Sequence, residues 1–414
     1  MIGVSAAGPL GRDRSAPKQP LTASAGVATV GGHGGNASSS VDERAAWIAL
    51  AAVPGIGPAG FGAVVRRFGS ARMAVTHPIE ELLGLLNRPD GATIAGLRRV
   101  MREGPEALAA VLEEAARRAG GHVLTALDPA YPSMLSRTDH RPPVLYVVGS
   151  ISACAEPAVA IVGTRRPSGY GRAMTVEIAD ELARAGVSVV SGLALGIDGV
   201  AHQAALDAAG RTVAVLPSPI DRVYPPRHRG LAARIVAEGG ALISEAPPGR
   251  VSGKPDFARR NRIISGLAEA TVVVEAPDHS GALLTAASAV AQGRDLYAVP
   301  GPIDAVTSRG CNRLIADHQA ELVTSAISLI ARLGLHPVTG VPIAVATLSE
   351  SEGLVLGCLL KRSASIEELA GKTSLGTSEL ASALTLLEAR GLVAGYGGVT
   401  FHPTLVARRI GTNR

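Results

Sequence analysis

Aromatic residues make up only 3% of this 414-residue chain, and lysine occurs only at Lys18, Lys254, Lys361 and Lys372. With so few rings, any core must be built from Val, Leu, Ile and Ala, and each aromatic deserves individual reading. Basic side chains exceed acidic ones by 40 to 35, and nearly all of them are arginine. Arginine pairs bidentately with phosphate and stacks on bases, but GC-rich coding produces the same bias, so composition alone locates no site. The three cysteines, Cys154, Cys311 and Cys358, are far apart and form no CxxC pair, which argues against a disulfide framework or a zinc site and suits a reducing compartment. No apolar run is long enough to span a membrane, and the N-terminus has no basic-then-apolar leader pattern; a cytoplasmic protein without membrane insertion is expected. The dinucleotide fingerprint is missing at Gly163-Thr164-Arg165, and Gly169-Tyr170-Gly171 lacks its third glycine, which argues against NAD. Gly249 to Lys254 superficially resembles a Walker A loop but is one residue short, with Pro255 where a magnesium-holding hydroxyl belongs. No cofactor is expected.

What is present suggests several domains, since 414 residues exceed one compact core. Residues 1–41 are rich in Gly, Ser, Ala and Pro without apolar periodicity and predict a disordered tail. Residues 42–120 show helical spacing at Trp47, Leu50, Val53, then Phe61, Val64, Val65, Phe68, then Leu82, Leu83, Leu85, Leu86, which predicts a small helical domain. Its Pro54-Gly55-Ile56-Gly57-Pro58 turn has the look of a helix-hairpin-helix, whose amides can receive a phosphate, although short glycine turns also join helices for purely structural reasons. Residues 121–335 begin with a Pro-punctuated connector between Leu124 and Val148 that leads into the apolar, strand-like run Val144–Val148. Short β-branched runs then alternate with helical stretches: strands near Ala158–Val162, Val187–Val190, Thr212–Leu216, Ala241–Ile243, Thr271–Val274 and Asp295–Val299, helices near Tyr170–Ala185, Gly199–Ala209, His228–Glu238 and Leu283–Gln292. That alternation predicts an α/β fold with an extended Rossmann-type parallel sheet. A linker over 336–350 precedes residues 351–414, where three helical stretches and a hairpin predict a winged helix.

The unusual residues fall just past the expected strand ends: Gly163, Thr164, Arg165 and Arg166, Ser191 and Gly192, Pro217-Ser218, Ser244-Glu245, Glu275 and Pro300-Gly301. Open parallel sheets bind ligands at that edge, though strand-to-helix turns need such residues anyway. Ser191, Asp198 and His202 suggest a hydrolase triad, but the Gly-x-Ser-x-Gly elbow is missing. The segment from Lys254 through Phe257 to Arg259, Arg260, Asn261 and Arg262 sets four cations around one ring. Arginines that neutralise phosphates beside a ring that stacks on an unpaired base make a single-strand site; the alternative is a solvated basic helix start with Phe257 buried.

With these motifs in order, the chain resembles the DNA-processing protein DprA (Smf) family of bacteria over roughly residues 45–410. The resemblance rests on Gly163-Thr164-Arg165, Ser191-Gly192-Leu193-Ala194-Leu195-Gly196-Ile197-Asp198 with His202, Asp221 with Tyr224-Pro225, Ser244-Glu245 and Arg260-Asn261-Arg262-Ile263-Ile264-Ser265-Gly266-Leu267. It continues through Glu275, Ser280-Gly281-Ala282-Leu283-Leu284-Thr285-Ala286, Gly293-Arg294, Val299-Pro300-Gly301 and Asn312. It implies a SAM-like N-terminal helical domain and a non-catalytic homodimer that binds single-stranded DNA and loads RecA recombinase in natural transformation. DNA contacts are expected from Gly163, Thr164, Arg165, Arg166, Ser191, Gly192, Lys254, Phe257, Arg260, Asn261 and Arg262, with no metal. Two stretches depart from the family pattern: Pro217-Ser218-Pro219 replaces a Gly-x-Gly turn, and Asp317-His318-Gln319-Ala320 replaces a Gly-Ala pair. The alternatives are a nucleoside-monophosphate-cleaving enzyme with Glu245 and Glu275 as acid and base, or a transcription regulator acting through the winged helix.

Overall fold

The computed structural model describes residues 37–154, 157–333, 348–361, 364–389, 392–396 and 400–403. The expected tail lies outside these residues up to position 36, and helix α1 (Ala37–Ala51) occupies its last positions. Most of the expected linker lies outside them as well. The chain divides into two compact units, Met1–Pro337 and Val338–Arg414.

The first unit opens with α1, α2 (Pro58–Phe68), α3 (Ala71–Thr76), α4 (Ile79–Leu83), α5 (Gly91–Glu103) and α6 (Pro105–Arg118). Local chemistry sets their ends. Pro58 starts α2, where a missing N–H costs nothing, and Gly69 at φ 81° closes it in the left-handed region. Asp90 and Thr93 form a capping box at α5. These helices enclose Trp47, Leu50, Phe61, Leu82 and Leu97, with Trp47 and Phe61 edge to face at 4.8 Å.

A nine-stranded sheet follows, in the order β1-β2-β6-β5-β4-β3-β7-β8-β9. Its strands are β1 (Gly121–Thr125), β2 (Val144–Gly149), β3 (Ala158–Val162), β4 (Ser188–Ser191), β5 (Thr212–Leu216), β6 (Ala241–Ser244), β7 (Ala270–Val273), β8 (Asp295–Ala298) and β9 (Glu321–Leu322). Strands β3 to β9 are parallel, as the alternating pattern predicts for β3 to β8; the two-residue β9 is not among the expected strands. The strand-like run Val144–Val148 is β2, antiparallel to β6, and the reading of the stretch before it is corrected at its start: Gly121–Thr125 is a strand running antiparallel to β2. The prolines that mark that stretch lie in the loop between the two strands and around α7 (Ser133–Ser136), so they punctuate a pairing instead of preventing one. Arg44 ties the helical part to this edge, pairing with Glu113 and donating to the Val123 carbonyl at 3.0 Å.

Helices α8 (Gly169–Arg184), α9 (Ile197–Asp207), α10 (Arg229–Ala237) and α14 (Ala326–Arg332) cover one face of the sheet. Helices α11 (Lys254–Gly266), α12 (Gly281–Ala291) and α13 (Arg309–Ala316) cover the other. The period-2 alternation sends Val159 and Ile161 to the first face and Ala160 and Val162 to the second. The second unit contains α15 (Glu350–Lys361), β10 (Ala364–Ser365), α16 (Ile366–Thr373), α17 (Thr377–Ala389), β11 (Val393–Tyr396) and β12 (Thr400–Pro403). Its sheet order is β10-β12-β11, around Val355, Leu359, Leu380 and Leu387.

His202 is fully buried between α9 and the sheet. Its Nδ1 meets Thr212 Oγ1 at 2.7 Å, and that hydroxyl donates onward to the Val189 carbonyl, so the ring is the donor to Thr212. Burial, with the His228 and Arg260 charges behind it, pushes the imidazole down to about 3. An unfolded histidine titrates near ~6.5. The stability this neutral ring contributes is therefore complete above pH ~6.5 and is lost as pH falls towards 3, at about 1.4 kcal/mol per pH unit. His202→Gln is expected to flatten the acid limb of stability between pH ~6.5 and ~4 in urea melts; an unchanged slope would refute the assignment.

Candidate functional site

The order of the parallel strands reverses at β3, which has β4 on one side and β7 on the other. Loops leaving the C-terminal ends of these strands part there, the place where an open α/β sheet forms a ligand crevice. A cavity of about 990 Å³ occupies it. Gly163, Thr164, Arg165 and Arg166 come from the turn after β3, Asp198 from the start of α9, and Phe257, Arg260 and Asn261 from α11. Ser280 and Gly281 at the start of α12, with Asp278 and His279 before it and Val306, Thr307 and Arg309, also line the cavity.

The rim is cationic and aromatic. Arg165, Arg166 and Lys254 are exposed, and Phe257 is half-buried. The Arg165 guanidinium lies over the Phe257 ring, 5.4 Å from its centroid, within reach of a cation–π attraction. Tyr224 stands edge-on to the same ring at 5.5 Å and is itself exposed. Lys254 opens α11 one turn before Phe257, outside the cavity lining.

The floor is a buried charge network. Asp198 accepts from the Gly192 and Ala194 amides at 3.1 and 3.3 Å, and Arg260 donates to the carbonyls of Gly192 and Val215. Gly192 thus bridges the two charges, and any side chain on it would strike the Arg260 guanidinium. Burial raises Asp198 above the ordinary carboxylate range, opposed by the Arg260 charge; burial lowers Arg260 to about 10, opposed by Asp198. The loop that Asp198 holds reaches Gly196, at φ 85°, packed on the backbone of Thr164 and Arg165. The Ile197 amide donates to the Thr164 carbonyl at 3.2 Å. The expectation that Arg260 grips phosphate as a free cation is corrected: its guanidinium is spent inside the protein, and it acts by holding the turn that carries Arg165.

Four other expected residues also have internal partners. Ser191 is buried and donates to the Ile161 carbonyl at 2.6 Å, while Gly192 lies in the floor, so neither lines the cavity. Asn261 does line it and donates to the Gly281 carbonyl at 3.2 Å. Arg262 points elsewhere, to Glu245 at 2.6 Å and the His140 carbonyl. The candidate triad is not assembled, because Ser191 and His202 bond to Ile161 and Thr212. The two acid–base candidates are braces. Glu245 answers Arg262, and Glu275 accepts from the Ser168 amide and hydroxyl at 2.8 and 2.6 Å and from Thr307 at 3.1 Å. Among the departures, Ser218 is buried between Arg222 and Ser244, accepting from Ser244 at 2.8 Å, and His318 sits at φ 55° just beyond α13. Among the described residues no cluster of His, Cys, Asp and Glu suits a metal, and no helix is long and apolar enough to cross a membrane.

Sequence reasoning missed Tyr224, Val306 and Arg309 as site residues. Tyr224 was visible as a rare aromatic beside Pro225; the other two carry no local signal.

Residues 122–334 match the family model described as DNA recombination-mediator protein A. The chain is 36% identical over 300 residues to Protein Smf of Synechocystis, covering 71% of this chain and 74% of that one. It is 40% identical over 296 residues to a protein of Mycobacterium tuberculosis named putative DNA processing protein DprA, covering 66% and 75%. Among solved structures, DNA processing protein A of Streptococcus pneumoniae superposes with a TM-score of 0.60 at 29% identity, covering 70% of this chain and 97% of that one. The family match falls on the sheet whose switch point holds the cavity, and the chain belongs to the DprA/Smf family, that of DNA recombination-mediator protein A.

Proposed function

We propose that this protein is a non-catalytic mediator that holds single-stranded DNA in the cavity at the β3 switch point and hands it to RecA recombinase in natural transformation. The observation that carries the reading is Arg165 lying over Phe257 at the mouth of that cavity. Exposed Arg165, Arg166 and Lys254 supply phosphate contacts, and the half-buried ring supplies a sequence-tolerant face for a base. Family membership supports the DNA role, and the organisation implied by the resemblance supports a cytoplasmic homodimer built on the α/β core at residues 121–335. We read residues 42–120 as the SAM-like helical domain and residues 351–414 as a winged helix. That last module sets Lys361, Arg362, Lys372, Arg390, Arg408 and Arg409 against Glu352, Glu367, Glu368, Glu379 and Glu388, a near balance that suits protein contact better than phosphate gripping.

The test is a binding titration on single and double strands across a salt series. Tight single-strand binding with little sequence preference is expected, falling steeply as salt rises because each Arg–phosphate contact releases counterions. Equal affinity for duplex would sink the proposal.

A further inference from the structure

The loop between β8 and α13 is braced along its length. Tyr170 donates its hydroxyl to the Pro300 carbonyl at 2.9 Å. The Asn312 amide closes on Gly301 from both sides, at 3.1 Å to its N–H and 3.0 Å to its carbonyl. Thr307 donates to Glu275, and successive turns join the Ala305 amide to Pro302 and the Ser308 amide to Ala305. Yet this fixed loop displays Ile303 at 92% exposure and Val306 at 56%. A β-branched apolar residue at such a turn gives nothing to the core, where Asn, Asp, Gly or Ser would ordinarily stand. Val306, Thr307 and Arg309 line the same cavity as Arg165 and Phe257, so Ile303 lies three residues from the cavity wall on a loop that forms part of it. Exposed Asp304 beside Ile303 repels phosphate, and an apolar side chain next to a carboxylate suits a base better than a backbone.

We infer that Ile303 is a wedge that parts two neighbouring unpaired bases of the bound strand, with Val306 behind it and Arg165 and Arg309 holding backbone around the opening. This rests on the cavity being the strand site. Apolar side chains inserted at a base step unstack it. A single strand gives up only stacking, whereas a duplex must also give up pairing, so the wedge adds affinity for single strands and not for duplex.

The experiment uses the full chain and oligonucleotides carrying 2-aminopurine, whose fluorescence rises when it leaves the stack. The wild type is expected to raise the signal on binding. Ile303→Ser, melting as wild type, is expected to abolish most of that rise, weaken single-strand binding about five-fold, on the scale of one apolar contact, and leave duplex binding and the salt slope unchanged. Ile303→Leu should retain the signal. An undiminished rise and an unchanged single-to-double-strand ratio in Ile303→Ser, with Arg165→Ala still impaired, overturns the wedge and leaves the strand site standing. Lost self-association with normal strand behaviour assigns the tip to a protein contact and overturns it equally. If the wild type binds no single strand, both readings fall together.

Discussion

Replacing Arg260 with methionine is expected to cost roughly 3–5 kcal/mol of stability, a fall on the order of 10 °C in melting temperature. The side chain is 6% exposed, and its guanidinium satisfies two buried carbonyls while opposing the charge of Asp198, also 6% exposed. Methionine fills much of the space but leaves two buried carbonyls without their donor and takes away the charge that opposes buried Asp198, whose own donors, the Gly192 and Ala194 amides, remain. Adding Asp198→Asn should recover part of the loss, because the uncompensated charge goes with it. Strand binding below the melting temperature should keep its salt slope, since no phosphate contact is removed. A melt within a degree or two of wild type would show that the network does not hold the floor, and a slope lowered by about one unit that falls by about one more when Arg165→Ala is added would make Arg260 a phosphate ligand in its own right.

Phe257→Ala should weaken single-strand binding by about 1–3 kcal/mol, the usual worth of a base–aromatic stack, with the salt slope nearly unchanged. Arg165→Ala should instead lower the slope by about one unit, because the slope counts neutralised phosphates. The two side chains touch, so removing the ring also frees the guanidinium, and the double variant should lose less than the two single losses added. The competing account treats Phe257 as core, in which case truncation lowers the melting temperature and spares binding by the folded fraction. Its half-buried position among Arg165 and Tyr224, apart from the apolar clusters, argues for the stack. Normal binding by folded Phe257→Ala would move the strand elsewhere.

The alternating βα core was legible because buried parallel strands read as short apolar runs: Ala158–Val162 and Thr212–Leu216 are strands as the pattern predicts. Strand β1 was hidden, since Gly121–Thr125 has no long run of its own and acquires its role from pairing with β2. Sequence reasoning brought together loops that line the cavity, but not the different placements of the side chains along α11. Residues 254–262 look like one basic cluster, yet the helical period turns Phe257 and Arg260 to the cavity, buries the Arg260 charge and sends Arg262 to Glu245. Which cation is spent inside and which is free is a property of packing, and no local pattern encodes it.

The close approaches at Gly192 and Gly196 make the site lopsided in what it can vary. One added methyl at either position meets a guanidinium or a main chain, so the frame admits almost no drift, while Arg165, Arg166 and Lys254 project into solvent from it. Under the proposed DNA role, affinity can therefore be retuned residue by residue at the rim, with the scaffold beneath left untouched.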